Sequence, residues 1–393
     1  MAEGSWPAGT AGDVAQILRD GRDHTRADLA RATQMSRSTV AQRIDELLRL
    51  GLVVASGDPA PTGGRPSSTF HLATQSRVLI AIDLGATHCA VGIADLLGTV
   101  IVDDRRQVDF GDGPALVLRA VWEIAAELLE KIGRAPADVA AVGIGLPGPV
   151  QFSTGRPGLP GWPDWQGYDV RGFFTKQVQV PVLVDNDVNI AALGEREASW
   201  PGVDDLLYVK VGTGIGAGII SGGSLQRGAE GIAGDIGHVR VCGADRPCRC
   251  GNRGCLVAVA RPYPLAHELP EAGLPVEDSQ GIIDLAAAGN ARVLTMLREA
   301  GRNIGEILTT CVSLVNPSVI VVGGALSGAG DGLLAGVREV VYQLAVPLVT
   351  ANLTVVYSRL GGRAALTGAA LLASDHVLSS EYIQGQIDGV GRR

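Results

Sequence analysis

Two neighbouring stretches, Gly234-Asp-Ile-Gly-His238 and Cys248-Arg-Cys250-Gly-Asn-Arg-Gly-Cys255, carry the strongest structural signal in the chain. They place one imidazole and three thiols in a short Gly-rich segment, in the order H-x9-C-x-C-x4-C. One histidine and three cysteines are the donors of a closed, tetrahedral structural zinc site. We therefore expect His238, Cys248, Cys250 and Cys255 to bind one zinc ion that braces a nearby ligand pocket.

The bulk composition limits the classes of protein that remain. At 393 residues the chain is long enough for two or three domains. A net charge of −8 argues against a uniformly basic nucleic-acid binder, although a local basic patch remains possible. No apolar run is long enough to span a membrane, and the first residues lack a signal-peptide pattern, so we expect a cytoplasmic protein with no membrane partner. Six cysteines in a reducing compartment favour metal binding or free thiols over disulfides.

The N-terminal residues have the pattern of a winged helix-turn-helix. Thr25-Arg-Ala-Asp28 is a capping box that starts one short helix, and Ser36 is the N-cap of the next. That second helix places Val40, Ile44, Leu47 and Leu48 on one apolar face and ends at Gly51. Two short strands, from Val53 and from Ser68 to Leu72, form a hairpin through a Gly- and Pro-rich turn.

The opposite face of the second helix carries polar side chains of the kinds that bond phosphates and base edges. From Arg22 to Arg77 the segment has eight arginines against five acids, a local excess of +3 in an acidic chain. A solvated helix face is the alternative reading of these residues. We predict that operator DNA is contacted by six residues, the last at the hairpin tip: Arg37, Ser38, Thr39, Gln42, Arg43 and Arg65.

The rest of the chain is α/β and repeats one pattern. A strand, a Gly-containing turn and a second strand occur at residues 78–94 and again at residues 205–220. Two such units predict a duplicated, two-lobed fold with a nucleotide between the lobes. The turns would then bind phosphates through backbone N–H groups, and Asp83 would hold Mg²⁺ through water. Each turn alone is equally consistent with ordinary turn chemistry. The predicted phosphate and ATP residues are Asp83, Gly85, Thr87, Gly212, Thr213, Gly214 and Gly324.

A polar cluster lies between the two repeats. The apolar run Val182-Leu-Val ends in Asp185-Asn-Asp187-Val-Asn189, where a strand would lead into a helix. A carboxylate at such a strand end can accept a sugar hydroxyl proton during phosphoryl transfer, and Asn186 can bond neighbouring hydroxyls. Either Asn186 or Asp187 can equally be the N-cap of the helix. The strand–turn that ends at Gly148 would form another wall of this cleft.

Taken in order, these motifs resemble the ROK family of repressors, open reading frames and sugar kinases. The resemblance covers nearly the whole chain: a winged helix-turn-helix, DLGAT (83–87), GLPGPV (145–150), DNDVN (185–189), VGTGIGAGI (211–219), AGDIGH (233–238), CRCGNRGC (248–255) and VGGAL (322–326). It implies a two-lobed, actin-like domain with a structural zinc that recognises a hexose or amino sugar. By the same resemblance Asp187 matches the catalytic base, and the sugar ligands match Gly148, Asn186, Asp187, Asp235 and His238.

Several positions depart from the pattern of the family's kinases. Asp235 stands where the kinases have the Glu of ExGH, and Val257 replaces the Glu that ends GCxE. Losing a hydrogen bond to a charged group costs about 1.5–3 kcal/mol, or roughly 10- to 100-fold in affinity. Ala86 and His88 also replace the usual phosphate-turn residues, and a lone His there is more typical of a surface or packing residue. Whether Glu230 substitutes for a lost carboxylate is not decided by sequence.

We therefore expect a winged helix-turn-helix (1–76), a sugar-kinase-like effector domain (77–379) and a frayed C-terminal tail (380–393). The favoured function is a sugar-responsive repressor that binds its operator as a homodimer or tetramer and is released by a sugar or amino sugar. The alternative is a bifunctional or plain sugar kinase, for which ATP and magnesium would be cofactors. The altered carboxylates weigh against efficient catalysis.

Overall fold

The computed structural model describes residues 9–56, 68–158, 162–261, 276 and 279–390. The N-terminal module is a winged helix with three helices and a three-stranded sheet of order β1-β3-β2. Its elements are α1 (Ala11–Leu18), β1 (His24–Thr25), α2 (Arg26–Thr33), α3 (Arg37–Arg49), β2 (Val53–Ser56) and β3 (Thr69–Leu72).

The predicted helix starts of this module are confirmed. The Thr25 hydroxyl accepts from the Asp28 amide at 3.1 Å, and the Asp28 carboxylate accepts from the Thr25 amide at 3.1 Å. Ser36 Oγ accepts from the Thr39 amide at 3.1 Å and caps α3. These bonds satisfy amides that have no partner inside the helix. One predicted core residue is wrong: Leu48 is 36 % exposed, because the apolar stripe of α3 is narrower than its sequence suggests.

The first lobe is built on a five-stranded sheet of order β10-β7-β4-β5-β6. Strand β4 is antiparallel to β5 and parallel to β7, and β10 continues the parallel part beside β7. The elements of this lobe are β4 (Val78–Leu84), β5 (His88–Ala94), β6 (Val100–Gln107), α4 (Pro114–Lys131), β7 (Val139–Leu146), β8 (Val150–Gln151), β9 (Arg156–Pro157), α5 (Val170–Thr175) and β10 (Val182–Asn186).

The second lobe has a sheet of order β13-β12-β11-β14-β15 and repeats the first. Strand β11 is antiparallel to β12 and parallel to β14, and β15 continues beside β14, so the two sheets match strand by strand. The prediction of a duplicated fold is confirmed. Its elements are β11 (Leu206–Val211), β12 (Ile215–Ser221), β13 (Ser224–Gln226), α7 (Leu256–Ala260), α8 (Ser279–Ala287), α9 (Ala291–Val315), β14 (Val319–Gly323), α10 (Asp331–Leu344), α11 (Pro347–Thr350) and β15 (Thr354–Tyr357).

Two helices pack against each other between the lobes. Helix α6 (Asp187–Ser199) lies on the sheet of the second lobe, and α12 (Ala364–Val377) lies on the sheet of the first. They approach backbone to backbone, because a Cβ added to Gly368 would lie 1.6 Å from the Ile190 carbonyl oxygen. A Cβ on Gly194 would likewise lie 2.1 Å from the Ala364 carbonyl oxygen. Only glycine fits at either position, so this crossing is closely packed.

The C-terminal residues correct the prediction of a frayed tail. Residues Ser380–Val390 form a helix, α13, that packs on α1 of the winged helix. Ile383 is fully buried there, and the Gln16 side chain donates to the Leu378 carbonyl at 2.6 Å. The apolar side chains of α13 pack against α1, a partner that the sequence of the tail alone does not reveal. Helix α1 also begins with a capping box, formed by Thr10 and Asp13. Among the described residues, no helix is long and apolar enough to cross a membrane.

Candidate functional site

The polar cluster predicted from the sequence lies where the parallel strands of the first lobe end. Asn186 closes β10 and caps α6: its Oδ1 accepts from the Val188 amide at 2.8 Å. Its Nδ2 donates to the carbonyl oxygen of Gly148 at 2.6 Å. The N-cap reading of Asn186 is therefore confirmed, and the structure brings Gly148 and Asn186 together as neighbours. The same side chain thus fixes the start of the helix that carries Asp187.

Asp187 faces a lysine that the sequence analysis missed. Its carboxylate is 5 % exposed, and its Oδ2 lies 2.6 Å from Nζ of Lys210 on β11 of the other lobe. Burial raises the pKa of Asp187, and the Lys210 charge opposes that shift. Burial alone would lower the pKa of Lys210, but the Asp187 and Asp83 carboxylates hold it above its usual value. The sequence signal for this contact was a lysine inside the otherwise apolar strand Leu206–Val211.

Asp83 lies at the end of β4, on the far side of the same charge cluster. It is 3 % exposed, and among the described residues its Oδ1 has no hydrogen-bond partner. His88 Nε2 lies 3.6 Å from its Oδ2, so the His88 ring packs against this carboxylate. Burial alone would raise the pKa of Asp83, but the His88 contact and the Lys210 charge lower it below its usual value.

The two predicted phosphate turns use part of their hydrogen-bonding capacity internally. The Gly85 amide donates to the His88 carbonyl at 2.8 Å, and the Gly212 amide donates to the Gly214 carbonyl at 2.9 Å. Both glycine amides are therefore occupied within their turns, which weighs against their predicted role as phosphate donors. Gly324 has φ +91, and a Cβ there would lie 2.5 Å from the Val211 carbonyl oxygen. The remaining turn residues, Thr87, Thr213 and Gly214, are exposed.

The His–Cys element folds into a compact group of donors. The four ligand atoms of His238, Cys248, Cys250 and Cys255 all lie within 4.8 Å of one another. His238 Nδ1 is 3.7 Å from Cys248 Sγ, and Cys250 Sγ is 3.7 Å from Cys255 Sγ. Those separations match two edges of a tetrahedron around an ion with Zn–S bonds of about 2.3 Å. The donor set therefore fits a zinc ion, whereas Cys242 is exposed and outside the group.

The positions that depart from the kinase pattern lie around the His–Cys group. Val257 is buried, and a Cβ on Gly237 would lie 3.6 Å from Val257 Cβ, so an apolar side chain stands beside the turn that carries His238. Asp235 is exposed, and partial desolvation raises its pKa, opposed by His238. Glu230 accepts from the Gln151 side chain at 3.2 Å. Glu230 thus links the two sides of the cleft mouth.

A further ion pair crosses the cleft mouth and was also missed. Arg227, in the loop after β13, donates from Nε to Asp185 Oδ2 at 2.7 Å. Its guanidinium stacks on the Phe152 ring, 3.9 Å from the ring centroid. Asp185 is 1 % exposed and also accepts from the Asn189 side chain at 2.8 Å. Asp185 is therefore held by both lobes.

The predicted DNA-contacting residues divide into two groups. Arg37, Ser38 and Gln42 are exposed on α3, and Thr39 is half-buried. Arg43 instead turns into the module, donating to the Gly9 carbonyl at 2.8 Å and to both Glu46 carboxylate oxygens at 3.0 Å. Arg65 lies outside the described residues. The exposed group begins at the N-terminal end of the helix, where recognition helices contact base edges.

Comparisons with known proteins match both parts of the chain. The model of the ROK family matches residues 79–376, and that of winged helix-turn-helix DNA-binding domains matches residues 14–54. The xylose repressor of Caldicellulosiruptor bescii is 29% identical over 386 residues, covering 94% of this chain and 96% of the repressor.

Two solved structures are similar over different lengths. One is a ROK family transcriptional regulator described as a homologue of the E. coli MLC protein, with TM-score 0.81 and 24% identity, covering 96% of this chain and 98% of that one. The other is a ROK family glucokinase from Streptomyces griseus in complex with glucose and AMPPNP, with TM-score 0.66 and 30% identity, covering 75% and 98%. With the family model spanning most of its length, the chain belongs to the ROK family and carries an N-terminal winged helix-turn-helix.

Proposed function

We propose that this protein is a sugar-responsive transcriptional repressor that binds operator DNA and is released from it by a sugar or amino sugar. The observation that carries the proposal is the packing of a winged helix, through α1 and α13, onto a ROK domain. The xylose repressor matches the winged helix as well as the two lobes, whereas the glucokinase leaves a quarter of this chain uncovered.

The sugar would bind between the lobes, at the start of α6. Asn186 and Asp187 would present amide and carboxylate groups there, with Gly148 beside Asn186, and Asp235 and His238 would contribute from the second lobe. A ligand can shift the protein between two states only through its different affinity for each. A sugar bound across the cleft would favour one arrangement of the lobes, and α6 and α12 would carry that difference to α13 and the winged helix.

A structural role for zinc follows from the donor set. His238 would bind the ion and also stand beside the sugar, so the metal would hold this part of the cleft in place. Metal bound by three thiols and an imidazole contributes directly to folding stability. Cys255 is buried against Val257 and Ala258, so loss of the ion would disturb the packing under the Asp235–His238 turn.

Operator recognition by paired helices requires at least a homodimer. Exposed apolar residues on the second lobe offer a surface for it: Leu314, Tyr342, Leu344, Val346 and Leu348. The helices that carry most of them, α9, α10 and α11, contact one another. Contiguous exposed apolar surface of this kind marks protein–protein contacts. A tetramer would need a second contact as well.

Sugar phosphorylation is the alternative function. Asp83, Thr87 and Asp187 are all present, and the orphan Oδ1 of Asp83 could bind a hydrated Mg²⁺ with ATP. The internally bonded Gly85 and Gly212 amides weigh against it.

Footprinting on the protein's own promoter region tests the proposed function. We expect a protected site with two half-sites about one helical turn, or a multiple of it, apart. D-xylose, D-glucose or N-acetyl-D-glucosamine should remove the protection. A footprint that none of these sugars changes, or no footprint, would refute the proposal as stated.

A further inference from the structure

Among the described residues, the centre of the cleft contains three buried carboxylates, two of which are paired with a cation. Asp83, Asp185 and Asp187 are 3 %, 1 % and 5 % exposed. Asp187 pairs with Lys210 at 2.6 Å and Asp185 with Arg227 at 2.7 Å, while His88 lies 3.6 Å from Asp83. The three carboxylates together with Lys210 and Arg227 carry a net charge of −1. Buried charges persist only when paired in this way.

This charge balance determines which ligands the cleft tolerates. A phosphomonoester adds about −1.5 to −2 charges at neutral pH and would face the carboxylates at low dielectric. The two permanently charged cations of this cluster, Lys210 and Arg227, already contact carboxylates. Binding a phosphate to either cation would require breaking one of these two ion pairs. A neutral sugar needs only hydrogen-bond acceptors and donors, which the Asp187 carboxylate and the surrounding groups supply. The geometry therefore favours an uncharged ligand.

The ion pair between Asp187 and Lys210 also affects phosphoryl transfer from ATP. In that reaction a sugar oxygen forms a bond to the γ-phosphorus, the bond from that phosphorus to the ADP oxygen breaks, and the hydroxyl proton passes to the base. Asp187 would be that base, and the Lys210 ammonium lies on its carboxylate at 2.6 Å. The adjacent positive charge opposes the rise in the pKa of Asp187 that burial causes, so Asp187 is a poorer proton acceptor than it would be without Lys210. His88 lies beside Asp83, where a hydrated Mg²⁺ would bind with ATP.

On the proposed function of a sugar-responsive regulator, we propose that Lys210 is a positioning residue that holds Asp187 as the hydroxyl acceptor for an uncharged monosaccharide. Because its ammonium is paired with Asp187, it is not free to neutralise a phosphate, and it makes Asp187 a less effective base for phosphoryl transfer. Lys210 is suited to this because it lies on β11, on which α6 packs, so the contact with Asp187 is fixed by two packed elements.

Calorimetric titration of the full-length protein tests this assignment. The probes are D-xylose, D-glucose and N-acetyl-D-glucosamine, together with xylose 1-phosphate and the 6-phosphates of the other two. We expect one free sugar to bind at least tenfold more tightly than its own phosphate. K210M should weaken that free sugar about 10- to 100-fold, as expected for losing a charge-assisted contact. K131M, which removes an exposed lysine at the end of α4, should bind as the wild type does.

Operator binding separates a positioning role from a merely structural one. A general loss of fold in K210M would weaken operator binding as well as sugar binding, whereas loss of a positioning contact should weaken only the sugar and leave operator affinity as in the wild type. Tighter wild-type binding of a sugar phosphate, lost in K210M, would overturn the assignment and make Lys210 an anion site. So would wild-type turnover of ATP and sugar at ordinary kinase rates of about 1–100 s⁻¹. Binding of no probe at all would instead contradict the proposed function itself.

Discussion

Two arginines on the same predicted face of α3 have different surroundings. Arg37 and Arg43 both lie on the face predicted to contact DNA, yet only Arg37 is exposed. Arg43 bonds the Glu46 carboxylate, which is 6 % exposed, and the Gly9 carbonyl. Sequence periodicity identifies a face, but it does not show that a buried acid three residues later will attract one of its arginines. The sequence signal for this pair was the i, i+3 spacing of opposite charges.

We expect R37A and R43A to have opposite effects on binding and stability. R37A should weaken operator binding by about 1–3 kcal/mol, roughly 5- to 150-fold, with no change in the free energy of unfolding. R43A should lower the free energy of unfolding by about 1–3 kcal/mol, because Glu46 would lose its charged partner. Fluorescence anisotropy on operator DNA and urea unfolding measure the two quantities. R49A, at the exposed far end of α3, is the control, and equal effects of R37A and R43A on DNA binding would contradict this division.

The four predicted zinc ligands are a second case at the residue scale, and here sequence spacing alone selected the group that the structure assembles. We expect the purified protein to hold about one zinc per chain, and C248S to lose it and unfold at a lower temperature. C242S should keep the metal, because Cys242 is exposed and outside the donor group. Elemental analysis with thermal unfolding gives both values. Metal loss in C242S with retention in C248S would show that the ligand set is wrong.

At the scale of elements, local signals and tertiary contacts contribute differently. Caps, glycine stops and strand alternation depend on neighbours in sequence, and the ends of α2 and α3 were predicted from them. Helices α1 and α13 were not predicted, because each is short and its apolar face is defined by tertiary packing. The contact of Lys210 with Asp187 joins residues 23 positions apart on different elements, so the sequence showed the lysine but not its partner.

We expect the packing of α13 on α1 to stabilise the winged helix. I383A removes a fully buried side chain and should lower the free energy of unfolding of the head by about 2–5 kcal/mol. Q386A, at an exposed position of the same helix, should leave it unchanged. Amide hydrogen exchange in α1 reports on the head alone. Unchanged protection of α1 in I383A would mean that α13 does not support the head.

At the scale of the whole molecule, the winged helix and the helices between the lobes share one apolar core. That core includes Val14 and Leu18 of α1, Ile190 of α6 and Ala369 of α12. The two-lobed duplication was visible in the sequence as a repeated strand–turn–strand pattern. The continuity of the core was not, because it depends on where α12 and α13 pack. This core gives a sugar bound at the start of α6 a packed connection to the DNA-binding helix.

Operator binding should also depend on self-association through the second lobe. L348E places a charge on a side chain that is 86 % exposed, and we expect it to shift the protein towards monomer and weaken operator binding at least tenfold. L116E makes the same change at a 60 % exposed position on α4 of the first lobe and should have no such effect. Sedimentation equilibrium measures the association. A dimer that persists in L348E would place the interface elsewhere.

The central claim is that a sugar bound at Asp187 releases the protein from DNA. Its most direct measurement is the anisotropy of a labelled operator, bound by wild type or by D187N, during titration with xylose, glucose or N-acetylglucosamine. We predict that one sugar lowers the operator affinity of the wild type at least tenfold and leaves the D187N complex bound, while both proteins bind DNA equally without sugar. Release of D187N at the same sugar concentration as the wild type, or release of neither, would contradict the claim.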